Sequence, residues 1–409
     1  MNDSLESVAS VFGGEPELPI FDPLYKADPL TTLRRLQTEG ERVLRVRLPS
    51  GVLAWLVTDY EMARTVLADP RFSKHSPQQA HGSGGEHSHP VFHHMLQMDP
   101  PEHTRLRALV ARNFVPQQMK AHVARIQSIC DQLVEALAVR NKIELVAEFA
   151  VPLALAAICS IIGIPQSDAW YVQRWTNLLV KADFEDPSQF SLIGEEIHGY
   201  FERLLDSRTL RDDTVFGQLA FRVGTGEISR NELFAMAFLL LNAGYETSAN
   251  FIGNGVFALL RTGRAQWSAL CSDPSLVAGA VEELLRFESP LEMATPRFAA
   301  SAIELAGIRI AKGDMVFAVL AAANRDAAQF FDPDTLDIAR PNGPRHLAFG
   351  HGIHFCLGAQ LARLQGQIAL RALTRRLPTL TLDGEKEPPV WQLGLIMRGV
   401  SHLHLAHSS

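Results

Sequence analysis

The sequence predicts a mainly α-helical protein with small β-sheets. Three observations carry that prediction. Apolar residues recur at helical spacing through most of the chain, and two short stretches alternate around glycine turns instead. One helical segment, opened by a capping box, is long enough to cross a whole domain.

Taken in order, Val43 to Val57 alternates around Pro49-Ser50-Gly51, the pattern of a hairpin. Helices are expected over Asp59 to Leu67, Thr104 to Phe114 and Met119 to Val139. Between the first two lies Gln78 to Pro90, polar and carrying glycine and histidine, which reads as a mobile loop. The longest apolar run, Val151 to Ile164, falls short of the ~20 residues that span a bilayer and reads as a buried helix. Ser188 to Leu205 is helical. The longest helix starts at the capping box Ser229-x-x-Glu232 and runs to about Arg261, with Thr262-Gly263 as its stop. Roughly 33 residues at a rise of ~1.5 Å give ~50 Å. Pro274 to Arg286 and Leu357 to Arg375 complete the helices, and Ile303 to Val319 forms the second β region, turning at Gly307 and Gly313.

The 409 residues are 47% hydrophobic, ample for a sizeable core, and no linker, charge run or repeat divides them, so residues 1–409 read as one domain. A net charge of −7 gives no basic field for nucleic acid or an anionic membrane. Cys130, Cys159, Cys271 and Cys356 are sparse and irregularly spaced, which suits a reducing cytoplasm. The start, Met-Asn-Asp-Ser-Leu-Glu-Ser, carries no basic region followed by an apolar one. A cytoplasmic monomer without a membrane anchor is expected.

The decisive window is Phe349-Gly350-His351-Gly352-Ile353-His354-Phe355-Cys356-Leu357-Gly358. It sets one cysteine between a glycine-rich turn and an amphipathic helix. Free N–H groups and the positive dipole at a helix start stabilise an anion, so this cysteine is expected to have a depressed pKa and to ligate a metal as thiolate. Gly350, Gly352 and Gly358 remove side chains where a large flat ligand would approach the backbone. Haem iron is the expected ligand. On this window alone, zinc at His351, His354 and Cys356 or a plain structural cysteine remain alternatives.

Elsewhere, Ala243-Gly244-Tyr245-Glu246-Thr247 places glycine, an acid and an alcohol inside the longest helix, where a threonine hydroxyl can bond the i−4 carbonyl. Glu283 and Arg286 stand at i and i+3. His103 and Arg107 stand at i and i+4 on one helix face, and arginine binds carboxylates bidentately.

The cysteine window resembles the haem-binding signature of the cytochrome P-450 superfamily, Phe-Gly-x-Gly-x-His-x-Cys-x-Gly, with every fixed position filled. The resemblance extends from about Asp59 to the C-terminus and is strongest to stand-alone bacterial enzymes that oxidise polyketides, macrolides and related secondary metabolites. It implies the cytochrome P-450 fold, with haem b held non-covalently between the long distal helix and the helix after the cysteine loop. Cys356 would be the axial iron ligand, and His103, Arg107, Arg297 and His354 would meet the propionates, with Phe349, Gly350 and Gly358 shaping the cysteine side. Ala243, Gly244, Glu246 and Thr247 match the family's oxygen-binding motif: Gly244 would leave room for dioxygen, Thr247 and Glu246 would deliver protons, and Tyr245 would shape the pocket. Glu283, Arg286 and Arg340 match a structural network. The substrate pocket would be lined by the lid before Met98 and by Leu240, Asn242, Ala243, Gly244, Leu291, Glu292, Met293, Ala294, Ile396 and Met397, with Glu292 and Asn242 as polar anchors.

The resemblance therefore implies a monooxygenase that hydroxylates or epoxidises a small apolar organic substrate with O2. No Gly-x-Gly-x-x-Gly fingerprint or four-cysteine cluster pattern is present, so electrons are expected from a ferredoxin and its reductase. Arg105, Arg112, Arg345 and Arg363 would form the docking patch. A peroxide-driven peroxygenase and a catalytically silent haem or ligand-binding protein are the alternatives. The cluster His75, His81, His87, His89, His93 and His94 falls in the expected substrate-access lid, with adventitious or no metal.

Overall fold

A computed structural model describes residues 16–38, 42–76, 89–184, 186, 188–207, 211–262, 264–341, 343–384 and 389–408. Two short helices, α1 (Pro23–Ala27) and α2 (Pro29–Thr38), lead into the expected hairpin of β1 (Val43–Arg47) and β2 (Leu53–Val57). Helix α3 (Tyr60–Ala68) and strand β3 (Phe72–Ser73) follow. Then come α4 (Glu102–Ala111), α5 (Pro116–Ala138), β4 (Lys142–Glu144), α6 (Val151–Ile162), α7 (Ala169–Phe184), α8 (Gln189–Leu205) and α9 (Val215–Gly224). The central helix α10 (Arg230–Arg261) precedes α11 (Ala265–Ser272) and α12 (Val277–Phe287). Strands β5 (Arg297–Ala299), β6 (Ile303–Leu305), β7 (Ile308–Ile310) and β8 (Met315–Ala318) lead to α13 (Leu320–Ala323), and α14 (Ala359–Arg376) precedes β9 (Thr381–Leu382) and β10 (His404–Ala406).

Helix α10 forms where the capping box requires it. The Ser229 hydroxyl accepts from the Glu232 N–H at 3.2 Å, and the Glu232 carboxylate accepts from the Ser229 N–H at 2.8 Å. Residues from Leu233 to Leu241 and from Ser248 to Leu260 are buried all round the helix, so it must run through the core rather than along a surface. It packs on α6, where a Cβ on Gly244 would meet Ile158 Cδ1 at 2.6 Å. It also packs on α14, where Gly366 admits the ring of Phe251. Both glycines let neighbouring helices approach closely.

The main sheet has the order β1-β2-β8-β5-β3. The second β region therefore divides: β6 and β7 pair as a small hairpin, whereas β8 runs parallel to β2 and antiparallel to β5. In β5, Arg297 lies opposite Val316 and becomes buried between strands. Strand β3, paired to β5, brings in Lys74 directly after Ser73.

Glu283 and Arg286 on α12 form a bidentate pair at 2.7 and 2.8 Å, and Arg340 Nε reaches both Glu283 oxygens at 3.1 Å. Arg286 also donates to the carbonyls of Asn324 and Pro333, so the buried charges are fully hydrogen-bonded and pin the loop before the cysteine window. Among the described residues, no helix is long and apolar enough to cross a membrane.

Candidate active site

Between α10 and the cysteine loop lies a cavity of about 1380 Å³, counting its mouth. Its walls are mostly apolar.

Cys356 is accessible from the cavity and presents its side chain there, with protein packed around it on the other sides. The loop is tied by the Cys356 N–H, which donates to the Phe349 carbonyl at 2.9 Å, and by Arg107 Nη2, which donates to the Phe355 carbonyl at 2.7 Å. Gly350 and Gly352 adopt φ of 70° and 73°, open to glycine and strained for other residues. A Cβ on Gly352 would lie 2.6 Å from the Leu67 carbonyl oxygen, so that glycine serves a close approach to α3 rather than to a ligand. Phe349 stacks beneath the Arg363 guanidinium at 4.6 Å. Helix α14 begins at Ala359, two residues later than expected, with Gly358 as its cap.

The expected depression of the Cys356 pKa is not found. Burial pushes the thiol up, against the pull of the Gly358 N–H and the charges of Arg107 and Arg363. The apolar surroundings outweigh one helix terminus.

His103, Arg107, Arg297 and His354 all line the cavity. The rings of His103 and His354 are 4.3 Å apart. Both ring nitrogens of His103 and Nε2 of His354 are buried without a hydrogen-bond partner. Burial, followed by Lys74, His103, Arg297 and Arg107, pushes His354 down to about 3. Burial lowers Arg297 to about 10, and its Nη1 donates to the Thr295 carbonyl at 3.0 Å. Lys74, which motif reading missed because an isolated lysine carries no signal, donates to the carbonyls of Thr295 and Pro296 at 3.3 and 2.9 Å. Asp99 offsets this positive cluster in part.

On α10, Leu240, Ala243, Gly244 and Thr247 line the cavity. The Thr247 hydroxyl donates to the Ala243 carbonyl at 2.7 Å, leaving its oxygen free to accept. The helix stays continuous through this turn, and the missing side chain of Gly244 is accounted for by Ile158. Glu246 makes no hydrogen bond or ion pair among the described residues, and burial raises it to about 7. Tyr245 is buried in the core and does not line the cavity, contrary to expectation.

Several expected pocket residues are placed elsewhere. Leu291 and Ala294 line the cavity, but Glu292 between them turns away into a buried ion pair with Lys26 at 2.8 Å. Met293 joins Leu18, Ile20 and Tyr25 in a separate core. Asn242 accepts from the Thr176 hydroxyl at 2.8 Å, outside the cavity. Ile396 and Met397 stand behind the wall, where the Ile396 carbonyl accepts from the Glu292 N–H and Met397 bridges Leu291. Met95 and Leu96, in the segment before Met98 expected to line the pocket, do line the cavity, and Leu239 joins them. The arginine patch is also thinner than expected: Arg105 pairs with Glu232, and Arg363 pairs with Glu282 at 2.6 Å.

Of the histidine-rich stretch, His75 faces Asp99 at 3.4 Å and His89 caps a short turn against His198, whose ring lies 5.8 Å away. His93 and His94 lie between two short turns, while His81 and His87 fall outside the described residues. Among the described residues, no group of three His, Cys, Asp or Glu side chains is arranged to hold a metal ion.

The family model described as Cytochrome P450 matches residues 272–403. The chain is 43% identical over 384 residues to cytochrome P450 monooxygenase PikC of Streptomyces venezuelae, covering 93% of this chain and 91% of that protein. It belongs to the cytochrome P450 family. It is also 38% identical over 367 residues to mycinamicin IV hydroxylase/epoxidase of Micromonospora griseorubida, covering 88% and 91%. The solved structure of myxobacterial cytochrome P450 CYP267B1 in complex with myristic acid matches at a TM-score of 0.88 with 37% identity, covering 95% of this chain and 99% of that one. The fold is the cytochrome P450 fold, and the protein is a cytochrome P450 monooxygenase.

The family implies haem with a cysteine thiolate ligand. The residues present fit that group. Buried imidazole nitrogens without partners, beside the buried cations Arg297 and Lys74, call for anionic carboxylates at one edge of the cavity. Cys356 lines the same cavity and would supply the thiolate.

Proposed function

We propose that this cytochrome P450 inserts one oxygen atom of O2 into an apolar secondary metabolite of macrolide or polyketide type, by hydroxylation or epoxidation. The observation that carries the reading is the joint lining of one large apolar cavity by Cys356 and by the Ala243–Thr247 turn of α10. The likeness to a mycinamicin IV hydroxylase/epoxidase supports the substrate class.

Haem b, bound non-covalently, would be held by Cys356 at the iron and by His103, Arg107, Arg297 and His354 at the carboxylates. When bound it supplies the activation of O2, and each insertion consumes two electrons and two protons and releases the second oxygen atom as water. The chain's own residues do the rest. Thr247 offers a hydroxyl oxygen that accepts a proton-bearing group at the cavity, since its hydrogen is held by Ala243. Glu246, raised to about 7, exchanges protons near neutral pH and resupplies that turn. Leu240, Leu291 and Ala294 exclude water and seat the substrate by contact. The electrons come from a ferredoxin and ferredoxin reductase in the cytoplasm, a reducing compartment that suits the sparse, irregularly spaced cysteines.

The test is spectroscopic. The reduced protein under carbon monoxide should show the red-shifted Soret band of thiolate ligation, and Cys356→Ser should lose it. An unchanged band in that variant sinks the reading.

A further inference from the structure

The cavity wall made by Leu291, Ala294 and Thr295 belongs to a segment, 289–296, with no helix to stiffen it. Its backbone is held on two sides. The Glu292 N–H donates to the Ile396 carbonyl at 2.8 Å, and the Ala321 N–H donates to the Glu292 carbonyl at 3.0 Å. The Glu292 side chain reaches in the opposite direction from the cavity and is fully buried. There it accepts from Lys26 Nζ at 2.8 Å and from the Tyr25 hydroxyl. Lys26 is equally buried, and its carbonyl accepts from Arg398 Nη1 at 2.5 Å. Arg398 in turn meets Glu288, which pairs with Arg261 at the end of α10.

A buried ion pair is a poor source of stability. The desolvation of two charges offsets most of their attraction, and apolar side chains of the same volume often do as well or better. What such a pair gives is one arrangement in place of several, because any other leaves a charge buried alone. Here that arrangement joins the N-terminal helix α1 to the cavity wall across 266 positions of sequence.

We infer that Glu292 is a positioning residue: its bonds to Lys26 and Tyr25 fix how far Leu291 and Ala294 protrude into the cavity, and so decide which position of a substrate is presented for oxidation. This rests on the reading that the cavity receives the substrate.

Two ligands of the haem protein test it. Imidazole is the smaller probe, whereas 4-phenylimidazole adds a ring that extends farther into the cavity lined by Leu291 and Ala294. Tyr25→Phe removes one hydrogen bond from Glu292, and Glu292→Asp keeps the charge but shortens the tether by one methylene. In both, imidazole should bind with the parent's affinity by Soret titration, while 4-phenylimidazole binding changes by about fivefold or more. Amide hydrogen exchange over 290–297 should accelerate in the same variants. Tyr25→Phe keeps both charges of the pair, so it answers the question if Glu292→Asp does not fold. Parent-like binding of both ligands with unchanged exchange overturns the inference, and so does equal weakening of both ligands, which is the mark of a merely structural role. Failure of the parent itself to bind either imidazole is a different result, and would remove the proposed function instead.

Discussion

The imidazole rings of His103 and His354 lie 4.3 Å apart, one on α4 and the other in the cysteine loop. Their facing nitrogens have no protein partner, and His354 is held neutral by its surroundings at any pH above about 3. Two buried donors without acceptors would cost stability unless a ligand accepts from them. Each hydrogen bond to a charged carboxylate contributes about 1.5–3 kcal/mol. His103→Ala and His354→Ala should therefore each release haem roughly 10–100-fold faster. Transfer of haem to an apo-globin acceptor measures this, and rates equal to the parent's would remove the pair from haem binding.

Glu246 is protonated below about pH 7 because burial disfavours its charge. Its pKa is raised on folding, so its contribution to stability is complete below the unfolded value near 4.5. It is lost as pH rises through about 7. Glu246→Gln cannot ionise. The variant should match the parent near pH 4 and exceed it at pH 8 by roughly 1–3 kcal/mol in denaturant unfolding. The same titration should appear in turnover, as an inflection near pH 7 in product per electron that the variant lacks. A pH-independent stability difference would mean that Glu246 is not held neutral by burial.

Thr247 gives its hydrogen to Ala243 and keeps its oxygen available to the cavity. Thr247→Val preserves shape and removes only that oxygen. Product formed per electron should fall about tenfold, with hydrogen peroxide rising in compensation, less than the ~10²–10⁴ of an irreplaceable acid or base because water can stand in. Thr247→Ser should recover most of the coupling. Equal coupling in all three proteins would take the hydroxyl out of proton transfer.

Legibility in the sequence followed physical locality. The capping box at Ser229 and Glu232 acts within one helical turn, so α10 could be read to within a residue of its observed start. The pairing of Glu283 with Arg286 is likewise local, and their motif carried Arg340 with them. Facing was harder to read. In 291–294 the backbone is irregular, so neither a period of two nor of 3.6 tells that Leu291 and Ala294 face the cavity while Glu292 and Met293 do not. Its partner Lys26 is 266 residues away, and nothing near Lys26 announces it. Gly244 shows the opposite case. The residue was legible from its motif, but its close packing against Ile158 was not, because Ile158 comes from another helix.

The arginines near the cysteine loop divide by what already holds them. Arg105 is paired with Glu232 and Arg363 with Glu282, whose carboxyl stays at about 2 because His346 and Arg363 outweigh the effect of burial. Their charges are neutralised locally and contribute little to a long-range field. Among the described residues, Arg112 bonds the neutral amide of Gln218, at 3.2 Å, and has no acidic partner, and Arg345 is exposed with no acidic partner either. These two carry the uncompensated positive charge of the original four. Complementary charge acts mainly on the encounter rate and fades as salt shortens the Debye length from ~10 Å at 0.1 M to ~3 Å at 1 M. Arg112→Glu and Arg345→Glu should each slow reduction by an acidic ferredoxin about tenfold at low ionic strength, with the deficit shrinking in high salt. Substrate-induced spectral shifts should be unaffected, since neither residue lines the cavity. Arg363→Glu should behave differently, lowering thermal stability by placing two acids together at Glu282. Stopped-flow reduction under carbon monoxide separates these effects, and a rate that ignores both Arg112 and ionic strength would place the docking face elsewhere.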